Sequence, residues 1–320
     1  MLEETAVTRQ KALSVRYVKI HFTIKFVENT VMPINKASAL RGGMGEMLLR
    51  MNCIRDRDCG KCDFETECLV RRIMYSQMAI QPKFMTAGDS VGYVLDCENY
   101  QEEFKKGEML DFSLLLFGKT IVYFAQILDA FFRLGLYGIG KNHSRYQIIS
   151  VTNTKKEKML DGNDILMERY QVQMLADYVC YRMDHFKQKP NGQMSLKVRF
   201  KTPLSLKYRG WFLKEFDVEA IDAAIRRRIY ILDCFEGISI EQEEIYSKGS
   251  PAIVWQSHRQ VSVPRYSNRR NEKMRLWGIE GECLVENVSD EFLWLLLAGE
   301  LTHIGKNTSF GFGRYRIEES

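Results

Sequence analysis

The chain has 320 residues, enough for one large or two ordinary domains, and 45% of them are hydrophobic, which excludes an intrinsically disordered protein. Charged residues make up 27% and the formal net charge is +5, a mild excess that permits an acidic partner such as nucleic acid without demanding one. Residues 1–11 are polar with no apolar signal core, and Ile121–Phe132 and Phe292–Ala298 are too short or too interrupted to span a bilayer, so a cytoplasmic protein with reduced cysteines is expected.

The first predicted element is a strand over Tyr17–Val27. There Val18, Ile20, Phe22, Ile24 and Phe26 alternate with Lys19, His21, Thr23 and Lys25, the period of a half-buried strand. A helix over 37–51 follows, with Leu40, Met44, Met47, Leu48 and Met51 at helical spacing. A cysteine-rich insertion, residues 52–70, comes next. Cys53, Cys59, Cys62 and Cys68 run C-x5-C-x2-C-x5-C, and thiolates at tetrahedral corners suit zinc, with C-x2-C a common half-site. The segment is charged and poor in apolar residues, so it needs a staple. A structural zinc is expected, with an iron–sulfur cluster or four reduced cysteines as alternatives. Nothing nearby completes an open coordination position, so no catalytic cofactor is expected. Cys97, Cys180, Cys234 and Cys283 lie in apolar surroundings and read as packing residues.

Strands over Gly92–Asp96 and Met109–Phe117 and an apolar helix over Ile121–Leu134 complete the first half. The second half repeats the order. Met194, Leu196, Val198 and Phe200 alternate with polar residues, and Asp217–Phe235 carries Val218, Ile221, Ile225, Ile229 and Leu232 on one helical face. Strand-like segments follow at Pro251–Gln256 and Met274–Val285, then a helix capped by Ser289 and running to Leu301. Ile139-Gly-Lys-Asn142 recurs as Ile304-Gly-Lys-Asn307, each copy after an apolar helix and before a strand. This is two copies of a strand–helix–strand–strand–helix–strand unit. The fold class is therefore α+β, tandem ferredoxin-like (RRM-like) domains over 1–190 and 191–320 with the cysteine-rich insertion in the first. Lys187–Gln193, with Pro190 and Gly192, reads as the break.

Gly135-x4-Gly140-Lys141 has the outline of a nucleotide-binding loop, but Asn142 stands where Ser or Thr should hold magnesium, and the loop leads from helix to strand, the reverse of the required order. The Gly305–Gly313 run reads as an RNA-backbone contact. Gly305, Gly311 and Gly313 allow close approach to phosphate, Lys306 adds charge, and Asn307 and Ser309 add polar groups. Arg265, Arg269 and Arg270, in the basic stretch Arg259–Arg275 with Tyr266 between them, suit phosphate grip and base stacking. Arg226-Arg-Arg228 reads as a solvated helix face. Among five histidines, His303 stands where the first repeat has Gly138, beside the glycine loop, where an imidazole suits proton transfer.

Val198–Trp211 (VRFKTPLSLKYRGW), Val263–Gly281 (VPRYSNRRNEKMRLWGIEG) and Glu300–Ile317 (ELTHIGKNTSFGFGRYRI) resemble, in order, the C-terminal domain of the CRISPR-associated endoribonucleases that process precursor crRNA, members of the RAMP superfamily. Leu40-Arg-Gly-Gly-Met-Gly45 and the cysteines after it are similar to the same family's N-terminal half. The resemblance implies a tandem ferredoxin-like fold and cleavage of CRISPR repeat RNA without a metal. Such scission needs a base on the 2′-hydroxyl, an acid on the leaving 5′-oxygen and cations on the phosphorane, and it leaves a 2′,3′-cyclic phosphate and a 5′-hydroxyl. His303 is the expected acid or base, with Tyr266 and Lys306 assisting and Arg265 on the phosphate. Many family members place a catalytic histidine on or near the first helix of the N-terminal domain, and Lys36–Met51 has none. That leaves open a second reading, a non-catalytic RNA-binding subunit of a CRISPR effector complex.

Overall fold

The computed structural model describes residues 13–319 except 79–81, 83, 86–89, 141, 163, 187–193, 239–249 and 268–271. The chain forms two compact units, one over Tyr17–Val172 and one over residues 173 onward joined by the stretch ending at Arg16.

In the first unit β1 (Arg16–Phe26), β2 (Tyr93–Asp96), β3 (Met109–Phe117) and β4 (Tyr146–Thr152) form an antiparallel sheet in the order β2-β3-β1-β4. The alternation along β1 does what the sequence predicts: Val18, Ile20, Phe22, Ile24 and Phe26 are all buried. Phe22 stacks on its cross-strand partner Phe112 at 4.8 Å, and Phe131 tilts onto both rings. Phe131 belongs to α3 (Phe124–Tyr137), which a 3₁₀ turn over Gly118–Tyr123 leads into. Helix α1 (Lys36–Asn52) starts at Asn35, whose Oδ1 accepts from the Ser38 N–H at 3.0 Å. Its two inward glycines are there for packing. A Cβ on Gly43 would lie 2.5 Å from Leu134, and one on Gly45 2.7 Å from Met74 of the short helix α2 (Leu69–Met74).

The second unit repeats the plan. Strands β5 (Met194–Leu204), β6 (Ala252–Ser267), β7 (Glu272–Val288) and β8 (Tyr315–Glu319) form an antiparallel sheet in the order β6-β7-β5-β8. Helix α5 (Val218–Glu236) is capped by Asp217, and α6 (Asp290–Thr302) by Ser289. Each unit is thus ferredoxin-like, and each glycine loop joins the unit's second core helix to its last strand. Strands β6 and β7 are far longer than predicted, because residues 259–267 continue β6 and residues 272–275 extend β7, the two staying paired as far as Ser267 and Glu272.

The break predicted at Lys187–Gln193 lies outside the described residues. The units themselves divide after Val172, so α4 (Leu175–Met183), assigned by sequence to the first domain, belongs to the second. The physical reason is a buried carboxylate: Glu300 of α6 accepts from Tyr178 at 2.8 Å and from Arg182 at 3.2 Å, both on α4.

Arg226-Arg-Arg228 is not simply a solvated face. Arg226 pairs with Asp222 at 2.7 Å, while Arg228 is buried, donates from Nε to the Thr302 carbonyl at the end of α6, and has its pKa lowered to about 10 by burial. Cys180 is exposed rather than packed. On α5, Asp233 is 1% exposed, neither carboxylate oxygen has a hydrogen-bond partner among the described residues, and burial, helped by Glu236, pushes its pKa up to about 8 from 3.8. The folded state therefore holds a proton that the unfolded chain releases near pH 4, and stability falls as pH rises between those values, by about 1.4 kcal/mol per pH unit. Asp233→Asn removes that titration. Thermal melts followed by circular dichroism are expected to show the variant more stable than the wild type at pH 8, with the gap shrinking towards pH 5.

Candidate nucleic-acid interface

The second glycine loop is built by close backbone crossings. Helix α6 ends at His303 (φ 56°), and the chain then turns through Gly305 (φ 82°), Asn307 (φ 65°), a 3₁₀ turn over Thr308–Phe310, Gly311 (φ 79°) and Gly313 (φ 70°). A Cβ on Gly305 would come within 2.6 Å of the Ser205 carbonyl, and one on Gly313 would collide with the Ile304 carbonyl. The amides are spent on the same crossings. Lys306 N donates to Ser205 O at 2.7 Å, Gly313 N to Pro203 O at 2.9 Å, and Phe310, Gly311 and Phe312 N within the loop. The glycines thus make a packed joint onto the end of β5, and Ser309, Gly311 and Gly313 are buried. The expectation that this backbone opens onto phosphate is corrected accordingly: the loop's exposed cation is the Lys306 side chain, with Gly305 and Asn307 half-buried beside it.

Two further elements frame Lys306. Its ammonium lies 5.6 Å from the Phe212 ring, on a small hairpin of Lys207–Tyr208 with Trp211–Phe212. Arg265, on β6, stacks its guanidinium 4.0 Å over Phe310 of the loop, on a small apolar cluster of Phe310, Phe312, Leu276 and Val263. The structure therefore brings Arg265 and Lys306 to one loop. Tyr266 follows on β6, its backbone paired with Lys273. Arg269 and Arg270 lie outside the described residues.

His303 is placed differently from the sequence reading. It is 2% exposed and its Nδ1 stands 3.2 Å from the Phe312 carbonyl, a contact a protonated Nδ1 donates. A proton-transfer group must come within about 3 Å of the proton it moves, and a ring closed inside the unit instead ties the helix end to the loop.

The first unit holds a cluster that sequence reasoning missed. Its glycine loop is closed by mutual hydrogen bonds of Ile139 and Ser144, 2.8 and 3.0 Å, and carries the exposed His143 at φ 51°. The His143 ring stands edge-on to Tyr137 at 4.9 Å. Arg50, in the last turn of α1, lies 4.0 Å over the Tyr137 ring and donates to its hydroxyl at 2.8 Å. Glu46 accepts from Arg50 and from Arg57, and these bonds hold its carboxyl below the usual carboxylate range against the upward push of burial. His143 was visible beside a glycine loop, but Arg50 is 87 positions from Tyr137, and only the packing of α1 beside α3 brings them together. His21, on β1, hydrogen-bonds Ser113 at 2.9 Å, and burial, reinforced by Lys19, lowers its pKa.

Cys53, Cys59, Cys62 and Cys68 are all half-buried free thiols. Among the described residues no group of three or more His, Cys, Asp or Glu stands close enough to hold a metal ion. The segment also carries polar contacts: Arg57 to Glu46 at 2.7 Å, Arg71 to Glu65, and Arg72 to the Thr66 carbonyl. Among the described residues no helix is long and apolar enough to cross a membrane.

Two ferredoxin-like units, each with a glycine loop before its last strand and the second loop flanked by cations, define the class of protein. Residues 13–176 match the family model AF_1859_N, described as an N-terminal domain, and residues 198–315 match the model described as CRISPR-associated endoribonuclease Cas6. The chain thus carries an AF_1859_N-type domain over half of its length and, over residues 198–315, a domain of the CRISPR-associated endoribonuclease Cas6 family. No curated protein sequence matches it. Among solved structures, a partial Cas6-RT-Cas1–Cas2 complex is similar at TM-score 0.56 and 9% identity, over 96% of this chain and 46% of the other. A Cas6 product complex is similar at 0.54 and 13%, over 95% and 100%, and Thermus thermophilus Cas6 at 0.50 and 11%, over 95% and 99%. The chain spans less than half the length of the first of these and 29% of the chain in a second Cas6-RT-Cas1–Cas2 complex. At these identities the likeness is one of fold.

Proposed function

We propose that this protein binds CRISPR repeat RNA and cuts it into crRNA without a catalytic metal. The observation that carries the reading is the match of residues 198–315 to the Cas6 endoribonuclease family, over the segment that sets exposed Lys306 and stacked Arg265 on one glycine loop. In the cleavage a base removes the 2′-hydroxyl proton, the 2′-oxygen attacks phosphorus, and the P–O5′ bond breaks as an acid protonates the 5′-oxygen. The products are a 2′,3′-cyclic phosphate and a 5′-hydroxyl. Lys306 and Arg265 hold phosphate, with Tyr266 following on the same strand. In the first unit, taken by itself, exposed His143 is offered for the acid–base role in place of buried His303.

Incubating the purified protein with labelled repeat RNA in EDTA is expected to give cleavage with those termini. Lys306→Ala and Arg265→Ala are each expected to weaken binding and to lower the slope of log affinity against log salt by about 0.7–0.9, one phosphate contact apiece. A second reading, a non-catalytic RNA-binding subunit working with CRISPR effector subunits, draws support from the burial of His303 and the absence of histidine in α1. Tight binding with no cut under any metal condition selects it.

For Cys53, Cys59, Cys62 and Cys68 the proposal of a structural zinc rests on spacing and on the low apolar content of the segment. Elemental analysis is expected to return about one zinc per chain, and Cys62→Ser to lower thermal stability more than cleavage rate. Metal-free protein with an unchanged melting temperature rules the site out.

A further inference from the structure

We infer that the small hairpin Lys207–Phe212 is a stacking finger for unpaired RNA bases, with Trp211 as its platform; this rests on the RNA-binding reading above. Lys207 pairs with Phe212 and Tyr208 with Trp211, and the turn between them has Arg209 at φ 47° and Gly210 at φ 90°. Two successive positive φ values give the tight turn whose twist matches a two-stranded ribbon. Glycine takes that conformation freely, whereas arginine is strained there. The strain puts a guanidinium at the tip, where it pairs with Glu219 at 2.9 Å.

The hairpin is a fixed part of its unit. Leu213 N donates to Leu206 O, and Ser205, just before it, pairs with Lys306 of the glycine loop. On this anchored ribbon Trp211 is 81% exposed and Phe212 52%. Trp294 of the same unit is 9% exposed, and Trp255 and Trp277 on the long hairpin are 48% and 56%. Single exposed apolar residues need no explanation, but this one is the most open indole in the chain and lies on a hairpin that carries exposed cations. Lys207 and Arg209 on the hairpin and Lys214 just after it are exposed, Lys306 lies at its Phe212 ring, and Glu215 and the Arg209 partner Glu219 are the acids nearby in sequence. An indole among cations suits a polyanion that carries aromatic rings, and unpaired RNA is that ligand: the base lies on the indole while the cations meet the adjoining phosphates. A protein partner with an apolar patch would not need the lysines. Side chains alternate across a strand, so Trp211 with Tyr208 and Phe212 with Lys207 offer two faces. The Phe212 face already lies under Lys306, which leaves Trp211 as the open one.

The test uses the full chain with an unstructured oligouridine of about eight nucleotides, the repeat RNA, and heparin, a polyanion without bases. Both RNAs are expected to quench tryptophan fluorescence, heparin much less, and Trp211→Phe to remove most of the quench. Trp211→Ala is expected to weaken oligouridine binding by roughly 5- to 150-fold, the range for one lost base stack, with the salt slope unchanged. Lys207→Ala is expected to lower that slope. Circular dichroism checks that each variant keeps its fold. Wild-type binding with Trp211→Ala at full affinity overturns the finger and leaves the RNA-binding reading standing. So does quenching by heparin equal to that by RNA. A wild type that binds neither RNA overturns both.

Discussion

His143→Ala is expected to slow cleavage of bound repeat RNA by roughly 10²- to 10⁴-fold, the usual contribution of a positioned acid–base group, with RNA affinity nearly unchanged. Three features support this assignment. His143 is exposed, whereas His303 is closed in and His21 is half-buried against Ser113. It is held edge-on to Tyr137, whose other contacts fix Arg50 beside it. It also sits at φ 51°, a conformation that costs a non-glycine residue on the order of 1 kcal/mol, and such outliers gather where function requires them. The strain supplies a control. Glycine takes that backbone freely, so His143→Gly should cleave as slowly as the alanine variant and melt no lower than the wild type. Single-turnover rates at saturating enzyme separate this from the rival assignment. His303→Ala removes the bond to the Phe312 carbonyl and should loosen the glycine loop and weaken binding, while RNA that is bound is cut at close to the wild-type rate. A wild-type single-turnover rate for His143→Ala would sink the assignment. A folded His303→Ala that binds but cannot cut would return the role to His303.

The alternation along β1 and β5, the capped helices and the repeated Ile-Gly-Lys-Asn made the duplicated fold legible, because these are local signals tied to burial. The candidate site was legible in pieces. Lys306 and Arg265 stood in recognisable basic and glycine-rich runs, and the structure sets both on one loop. What sequence could not carry was direction. His303 lies next to the loop in the chain, but α6 ends with that residue turned inward, and no pattern of letters states which way a residue at a helix end faces. The glycines misled in the same way. Their freedom is used to pass the backbone of Pro203–Ser205 rather than to approach a ligand. Arg50, Tyr137 and Trp211 were passed over because their meaning lies in exposure and in contacts distant along the chain. The domain boundary moved because α4 is held by one carboxylate more than a hundred positions downstream.

That carboxylate carries the largest expected effect on stability. Glu300 has no exposed side-chain surface, and its two oxygens accept four bonds: Tyr178 Oη at 2.8 Å, Arg182 Nη2 at 3.2 Å, Arg316 Nη1 at 2.8 Å and the Ile317 N–H at 3.0 Å. They come from α4 and β8 and meet on α6, so three elements of the second unit share one buried anion. A buried ion pair gains little over a well-packed apolar substitute, but deleting one partner leaves the others uncompensated, at a cost of about 3–5 kcal/mol. The Tyr178 hydroxyl reports the same site, since burial and then the nearby carboxylate raise its pKa. Glu300→Ala is therefore expected to lower the unfolding midpoint of the second unit by about 10 °C. Glu300→Gln keeps the shape and one acceptor, and should fall between the variant and the wild type. Because α4 depends on this anchor, limited proteolysis of Glu300→Ala should cut first within 175–186, whereas Tyr178→Phe, which loses one bond of four, should cost only about 1 kcal/mol. An alanine variant that melts with the wild type and keeps α4 protected would show that the network is not what joins this helix to the second unit.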